Sequence, residues 1–153
     1  MCAAENPEED RPVLVSACLL GLKTRYDGGD CRRQTVVDRL RGKLFIPICP
    51  EQLGGLSTPR CPAEINRGDG RDVLDGEARV VRRDGVDVTE EYLRGAEQVL
   101  ELVGLSGAGR AILKEGSPAC GVTRLKRRGA DVKGCGVAAA MLKEEGVRVA
   151  GIE

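Results

Sequence analysis

Phe45-Ile46-Pro47-Ile48-Cys49-Pro50-Glu51, continuing into Gln52-Leu53-Gly54-Gly55, joins an apolar run over 44–48 to a thiol, a proline, a carboxylate and two glycines. A short apolar run bounded by Pro and Gly reads as a buried strand. Pro50 has no N–H for a ladder hydrogen bond and ends it. Gly54-Gly55 lets the backbone turn sharply or come close to a ligand. Cys49 and Glu51 then stand at the C-terminal end of the strand as half of a candidate site.

Working outward, two more stretches repeat this arrangement. Val13-Leu14-Val15-Ser16-Ala17 is a β-type run that ends at Cys18, and Arg110-Ala111-Ile112-Leu113-Lys114 runs into Glu115-Gly116-Ser117-Pro118-Ala119-Cys120-Gly121. A fourth strand is expected over 147–151. Residues 32–40 suit a short helix, and Gly134-Cys135-Gly136 precedes another over 137–144. Tyr92, Leu93, Ala96, Val99, Leu100 and Val103 recur at helical spacing. That helix is expected to take Thr89 as N-cap and to stop before Gly104. Residues 53–71 read as loop, 72–81 as a small hairpin around Asp75-Gly76, and 124–129 as an exposed loop.

Strands separated by helices or long connections imply βαβ units and a parallel sheet. Right-handed crossovers on both faces give a single Rossmann-like α/β domain over 13–153, its small, mostly parallel sheet holding about four strands. Residues 1–12, with Glu5, Glu8, Glu9 and Asp10, read as a flexible acidic tail in which Cys2 is incidental. Ligands of such sheets bind beyond the carboxyl ends of the strands. The fold therefore brings Cys18, Cys49 and Cys120 to one rim.

The composition narrows the chemistry. A chain of 153 residues can bury a sizeable core in one domain. Its 24 basic and 24 acidic residues cancel, so no global field draws it to nucleic acid or anionic membrane. Tyr26, Phe45 and Tyr92 are the only aromatic residues, too few for stacking on single strands. No run has the length of a membrane helix, and the acidic opening is not a signal peptide. These features point to a soluble, cytoplasmic protein, a monomer or small homo-oligomer, with neither membrane nor nucleic acid as partner.

Seven cysteines without regular spacing and no histidine are the sharpest counts. An odd number of thiols in a chain without an export signal argues for metal or catalytic use over a disulfide framework. The lack of imidazole removes Ser-His and Cys-His pairs and His-ligated zinc. Thiolates alone favour Fe–S clusters, zinc or Cu(I). A [4Fe–4S] cluster usually takes four cysteines. Three would leave one iron open, much as catalytic zinc sites keep one position free. Glu51 and Ser117 flank Cys49 and Cys120 as the nearest proton-handling groups. Three rival readings stay open: a non-catalytic Fe–S or zinc-thiolate module acting as carrier or redox sensor, a zinc-thiolate hydrolase, and cysteines that are only small buried hydrophobes.

Val15-Ser16-Ala17-Cys18-Leu19-Leu20-Gly21, Arg25-Tyr26-Asp27-Gly28, Cys49-Pro50-Glu51-Gln52-Leu53-Gly54-Gly55-Leu56, Pro59-Arg60-x-Pro62-x-Glu64, Asp87-Val88-Thr89 and Ser117-Pro118-Ala119-Cys120-Gly121 come in one particular order. In that order they resemble the thiouracil desulfidase family, whose domain was long catalogued only as one of unknown function. The resemblance covers about residues 13–150.

It implies a Rossmann-like domain with a [4Fe-4S] cluster on Cys18, Cys49 and Cys120, readily lost in air. It also implies Glu51 and Ser117 as catalytic residues, and a thiolated pyrimidine such as 2-thiouracil whose C=S becomes C=O. Tyr26, Asp27, Gly54 and Gly55 are candidate substrate contacts, although Asp27 is also a turn former. Arg60 and Glu64 read as a structural ion-pair network. Some relatives carry a further domain for thiolated tRNA, absent here, which favours a free base. Cys31, Cys61 and Cys135 depart from the family pattern. They read as structural, with Cys31 or Cys135 a fourth ligand or sulfur acceptor if it reaches the rim.

Overall fold

Val13–Ser16 is buried at every position instead of alternately, the pattern of a strand covered on both faces. The computed structural model describes residues 7, 8 and 10–153. Cys2 and most of the expected acidic tail lie outside them. In chain order the first half comprises β1 (Val13–Ser16), a 3-10 turn (Ala17–Leu20), α1 (Gln34–Leu40), β2 (Phe45–Ile48), α2 (Pro50–Leu53), β3 (Ala63–Ile65) and α3 (Gly70–Leu74). The second half comprises β4 (Val80–Arg82), α4 (Thr89–Ser106), β5 (Arg110–Lys114), β6 (Arg124–Arg127), β7 (Ala130–Lys133), α5 (Val137–Glu144) and β8 (Arg148–Ile152).

One parallel sheet runs β2-β1-β5-β8, with Val13 opposite both Phe45 and Arg110, and Ile112 opposite Ala150. Its two faces bury different residues. Val13, Val15 and Ile112 pack against Val36 and Leu40 of α1. Leu14, Ala111 and Leu113 pack against α4 and α5 through Ala96, Val99, Ala139 and Leu142. The expected α/β sandwich, with helices on both faces, is the observed fold.

Several local expectations fail for identifiable reasons. The Asp75-Gly76 pair does not turn a hairpin; it follows the C-terminus of α3. Asp69 accepts from the N–H of Arg71 at 2.9 Å, and Asp72 reaches back to the N–H of Asp69 at 2.8 Å. This reciprocal cap starts a helix where a loop and a strand were expected. β4 pairs instead with β3, in the stretch read as loop, through Ile65↔Val80. Residues 124–129 are not an exposed loop either. They form β6 and the turn of a hairpin with β7, in which Arg128 (φ 51°) and Gly129 (φ 79°) both take the left-handed conformation that suits the strand twist.

α4 runs past Gly104 to Ser106 and ends at Gly107, whose φ of 74° closes it with an N–H bond to Val103 at 2.9 Å. A single exposed glycine costs a helix only about 1 kcal/mol, too little to stop it. Thr89 is the first helical residue, not the cap. Its hydroxyl accepts from Val80 N–H at 2.9 Å, while Asp87 accepts from Thr89 N–H at 2.9 Å.

Candidate active site

Three strand ends carry the site. After β1 the chain tightens into the 3-10 turn, closed by Gly21 at φ 94°. The carbonyl of Cys18 then accepts from Cys31 N–H at 2.9 Å. After β2, Cys49 is the N-cap of α2 and Pro50 its first residue, where a missing N–H costs nothing. Glu51 therefore sits in the first turn of that helix. After β5 the buried carboxylate of Glu115 gathers the N–H groups of Val122 (2.7 Å), Thr123 (3.0 Å) and Arg124 (3.1 Å). The Glu115 N–H reaches Ile152 O of β8 at 2.8 Å. Within the loop so tied, Ser117 Oγ accepts from Ala119 N–H at 3.1 Å and Cys120 N–H at 3.0 Å, which fixes the Cys120 backbone.

The strand order makes these ends adjacent. From β1 the chain moves to β2 on one side, then crosses back to β5 on the other, and such a reversal opens a crevice beyond the carboxyl ends. The crevice here is a cavity of about 1030 Å³, lined by Cys18, Tyr26, Cys49, Glu51, Ser117 and Cys120 among others. Asp27, Gly54 and Gly55 are not in its lining. Asp27 accepts from Gly29 N–H at 2.9 Å in an exposed turn. Gly54 faces α4. A Cβ there would come within 1.9 Å of Glu91 O, and one on Gly95 within 1.9 Å of Pro50 O. Two glycines thus let α2 and α4 touch backbone to backbone.

That contact brings a residue to the site that the sequence presents only as helix core. Tyr92, 3% exposed, donates its hydroxyl to Glu51 Oε1. Arg60 holds the other oxygen, its Nε 2.8 Å from Glu51 Oε2, with Nη2 on the same atom. Arg60 is itself pinned by Thr24 O and Thr58 Oγ1, each at 2.8 Å, and its Nη2 lies 4.0 Å from Cys49 Sγ. Burial, and then the Glu51 charge, push the Tyr92 phenol up, so it stays a donor. The one sequence signal for Tyr92 was a hydroxyl in an otherwise apolar stripe. For Arg60 it was a cation set between two prolines.

Burial pushes the Cys18 thiol up to about 12, and Cys31 and Cys49 add to it. Burial also raises Cys49 and Cys120, and Cys120 is raised further by Cys18 and Cys49. The three thiols therefore feel one another, and each keeps its proton unless a cation replaces it, as metal-ligand thiols do. Among the described residues no three His, Cys, Asp or Glu side chains gather as ligands of one ion. The thiols share a space instead of a point, which suits a cluster whose thiolates sit on different irons.

Of the remaining thiols, Cys31 and Cys61 line the cavity and Cys135 does not. Cys135 Sγ lies 3.5 Å from Asp69 Oδ2 at the start of α3. Glu64 meets the hairpin, accepting from Arg128 N–H at 3.0 Å.

The 2-thiouracil desulfurase family model matches residues 13–153. The chain belongs to this family. It is similar to the uncharacterized protein YbbK of Bacillus subtilis (strain 168), 44% identical over 140 residues, covering 90% of this chain and 93% of YbbK. It is also similar to the solved structure of a [4Fe-4S]-dependent thiouracil desulfidase, TudS. There the TM-score is 0.79 and the identity 39%, over 92% of this chain and 90% of that one. The family resemblance read from the six motifs therefore holds, and the site just described lies within the region of the desulfurase match.

Proposed function

We propose that this protein is an Fe–S-dependent desulfidase that replaces C=S by C=O in a free thiolated pyrimidine, such as 2-thiouracil, in the cytoplasm. The observation that carries the reading is the meeting of Cys18, Cys49 and Cys120 with a doubly held Glu51 in one cavity of a desulfurase-family chain. Cys18, Cys49 and Cys120 would hold a [4Fe-4S] cluster, which when bound supplies an iron without a protein ligand for the substrate sulfur. Among the described residues no helix is long and apolar enough to cross a membrane.

The overall change is thiocarbonyl plus water to carbonyl plus hydrogen sulfide, with no electrons gained or lost. Glu51 is the base. Tyr92 and Arg60 take up lone pairs on its two oxygens and fix the carboxylate plane, and a carboxylate retains capacity to accept from water and take its proton. Ser117 has its oxygen taken by two N–H donors, so its own hydrogen is left to donate to an oxygen or nitrogen of the base. Tyr26, 42% exposed beneath the Arg25 guanidinium, forms part of the outer wall.

Anaerobic reconstitution with iron and sulfide tests the reading. The expected product is a brown protein with about four irons per chain that converts 2-thiouracil to uracil, with Cys49→Ala losing both properties. Iron uptake without uracil formation would favour a carrier or sensor. A colourless chain that retains only zinc would overturn the mechanism.

A further inference from the structure

Cys31 is a fourth thiol in the cavity for which the reaction above has no use. It is 9% exposed, it is set 13 residues beyond Cys18 (31 − 18), and its N–H donates to the Cys18 carbonyl at 2.9 Å. That bond holds the two backbones side by side, and a disulfide needs Cα atoms roughly 4.4–6.8 Å apart. Both side chains line the same cavity, where Cys31 is a side-chain hydrogen-bond partner of Cys18. Arg25 fixes the geometry from the other side, with Nη1 2.7 Å from Cys31 Sγ. Cys49 and Cys120 come from other strand ends, and no such backbone bond joins either of them to another cavity cysteine.

We propose that Cys18 and Cys31 form a reversible disulfide in the cluster-free protein, so that oxidation withholds one cluster ligand and reduction returns it. The oxidant is of the peroxide class. The Cys31 sulfur, held against the Arg25 guanidinium, attacks a peroxide oxygen and becomes a sulfenic acid as the first water leaves; the Cys18 thiol attacks that sulfur, forms the S–S bond and gives up its proton to the second water. Two electrons pass from the two sulfurs to the peroxide, and a dithiol reductant reverses the change. Without a partner so close, a sulfenic acid at Cys31 would be open to oxidation to sulfinic acid, which is irreversible for an ordinary protein thiol. Cys18 thereby resolves Cys31, and the cluster ligand is withheld in a recoverable form. The link with cluster loading rests on the proposed function; the disulfide itself does not.

The test treats the full-length, cluster-free chain with a small excess of hydrogen peroxide, counts free thiols and maps linked peptides by non-reducing mass spectrometry. The expected result is a loss of two of the seven thiols, a Cys18–Cys31 linked pair, and loss of iron uptake that dithiothreitol restores. Cys31→Ser should take up iron normally before oxidation. After the same peroxide dose it should keep Cys18 reduced and its iron uptake unchanged. A different pairing, or Cys18 oxidised beyond sulfenic acid while Cys31 remains free in the wild type, would overturn the proposal. If the reduced wild type takes up no iron at all, the proposed function fails, and the peptide map still decides the disulfide.

Discussion

Tyr92 donates its phenolic hydrogen to Glu51 from a helix that reaches it only because two glycines allow α2 and α4 to meet. The donor is buried, the bond itself part-buried, and its acceptor is the proposed base. Tyr92→Phe removes the donor and leaves the ring in place. A hydrogen bond to a charged group is worth about 1.5–3 kcal/mol, so kcat should fall by roughly tenfold or more. Iron content should not change. Steady-state rates and iron analysis on the same reconstituted samples check this.

Arg60 and Glu51 have side chains 7% and 14% exposed, so their pairing is shielded from solvent. Removing one member of a buried pair strands the other and costs about 3–5 kcal/mol. Arg60→Ala should lower the stability of the cluster-free chain by about that amount in urea. Arg60→Lys keeps the charge but loses the two-point grip on Oε2, and it should fall between wild type and Ala.

Glycines on one helix should respond with opposite signs. Gly95→Ala places a methyl 1.9 Å from Pro50 O, forces α2 off α4 and should destabilise by about 2 kcal/mol while lowering activity. Gly104→Ala meets nothing within 4 Å, has no left-handed backbone to lose and should stabilise by about 0.5–1 kcal/mol. Thermal melts of the two variants make the comparison directly.

Asp87 caps α4 through Thr89 N–H and pairs with Arg79 at 2.8 Å. Arg79 first, then the Thr89 bonds, hold its carboxyl down at about 2. A depressed carboxylate stabilises the fold fully above its unfolded value of about 3.9, and that contribution is lost as pH falls towards 2. Asp87→Ala should therefore cost about 1 kcal/mol at pH 7, and the gap to wild type should shrink below about pH 4. Urea titrations at several pH values would show the two curves converge.

Much of the scaffold is legible in the sequence because it rests on local patterns. The runs at 13–16, 45–48 and 110–114 are apolar, short and punctuated by Gly or Pro, and Val137–Glu144 follows its glycines as a helix. Parallel strands share one C-terminal rim, so thiols after three of them had to come near each other. What escaped depends on partners distant in the chain or on unusual turn chemistry. α3 opens with Asp at both ends of its cap where Glu or Gln is the usual second member, and the β6–β7 turn uses Arg where Asn is common. Tyr92 lies 41 residues from Glu51, and no local pattern links a helix core position to a strand-end carboxylate. Gly54-Gly55 did announce a close approach, but a glycine pair does not say to what, and the neighbour of Gly54 is the α4 backbone.

The knot at Glu115 sets the order in which the site can come into being. The loop holding Ser117 and Cys120 is tied through Glu115 to β6 and through its N–H to Ile152, and a side chain at Gly151 would strike the Glu115 carboxylate at 2.0 Å. β8 is synthesised well after Cys120, so a nascent chain halted before it would hold the Cys120 loop through the Glu115 carboxylate, without the tie to Ile152. The Cys120 loop is therefore fully seated only once β8 has been made.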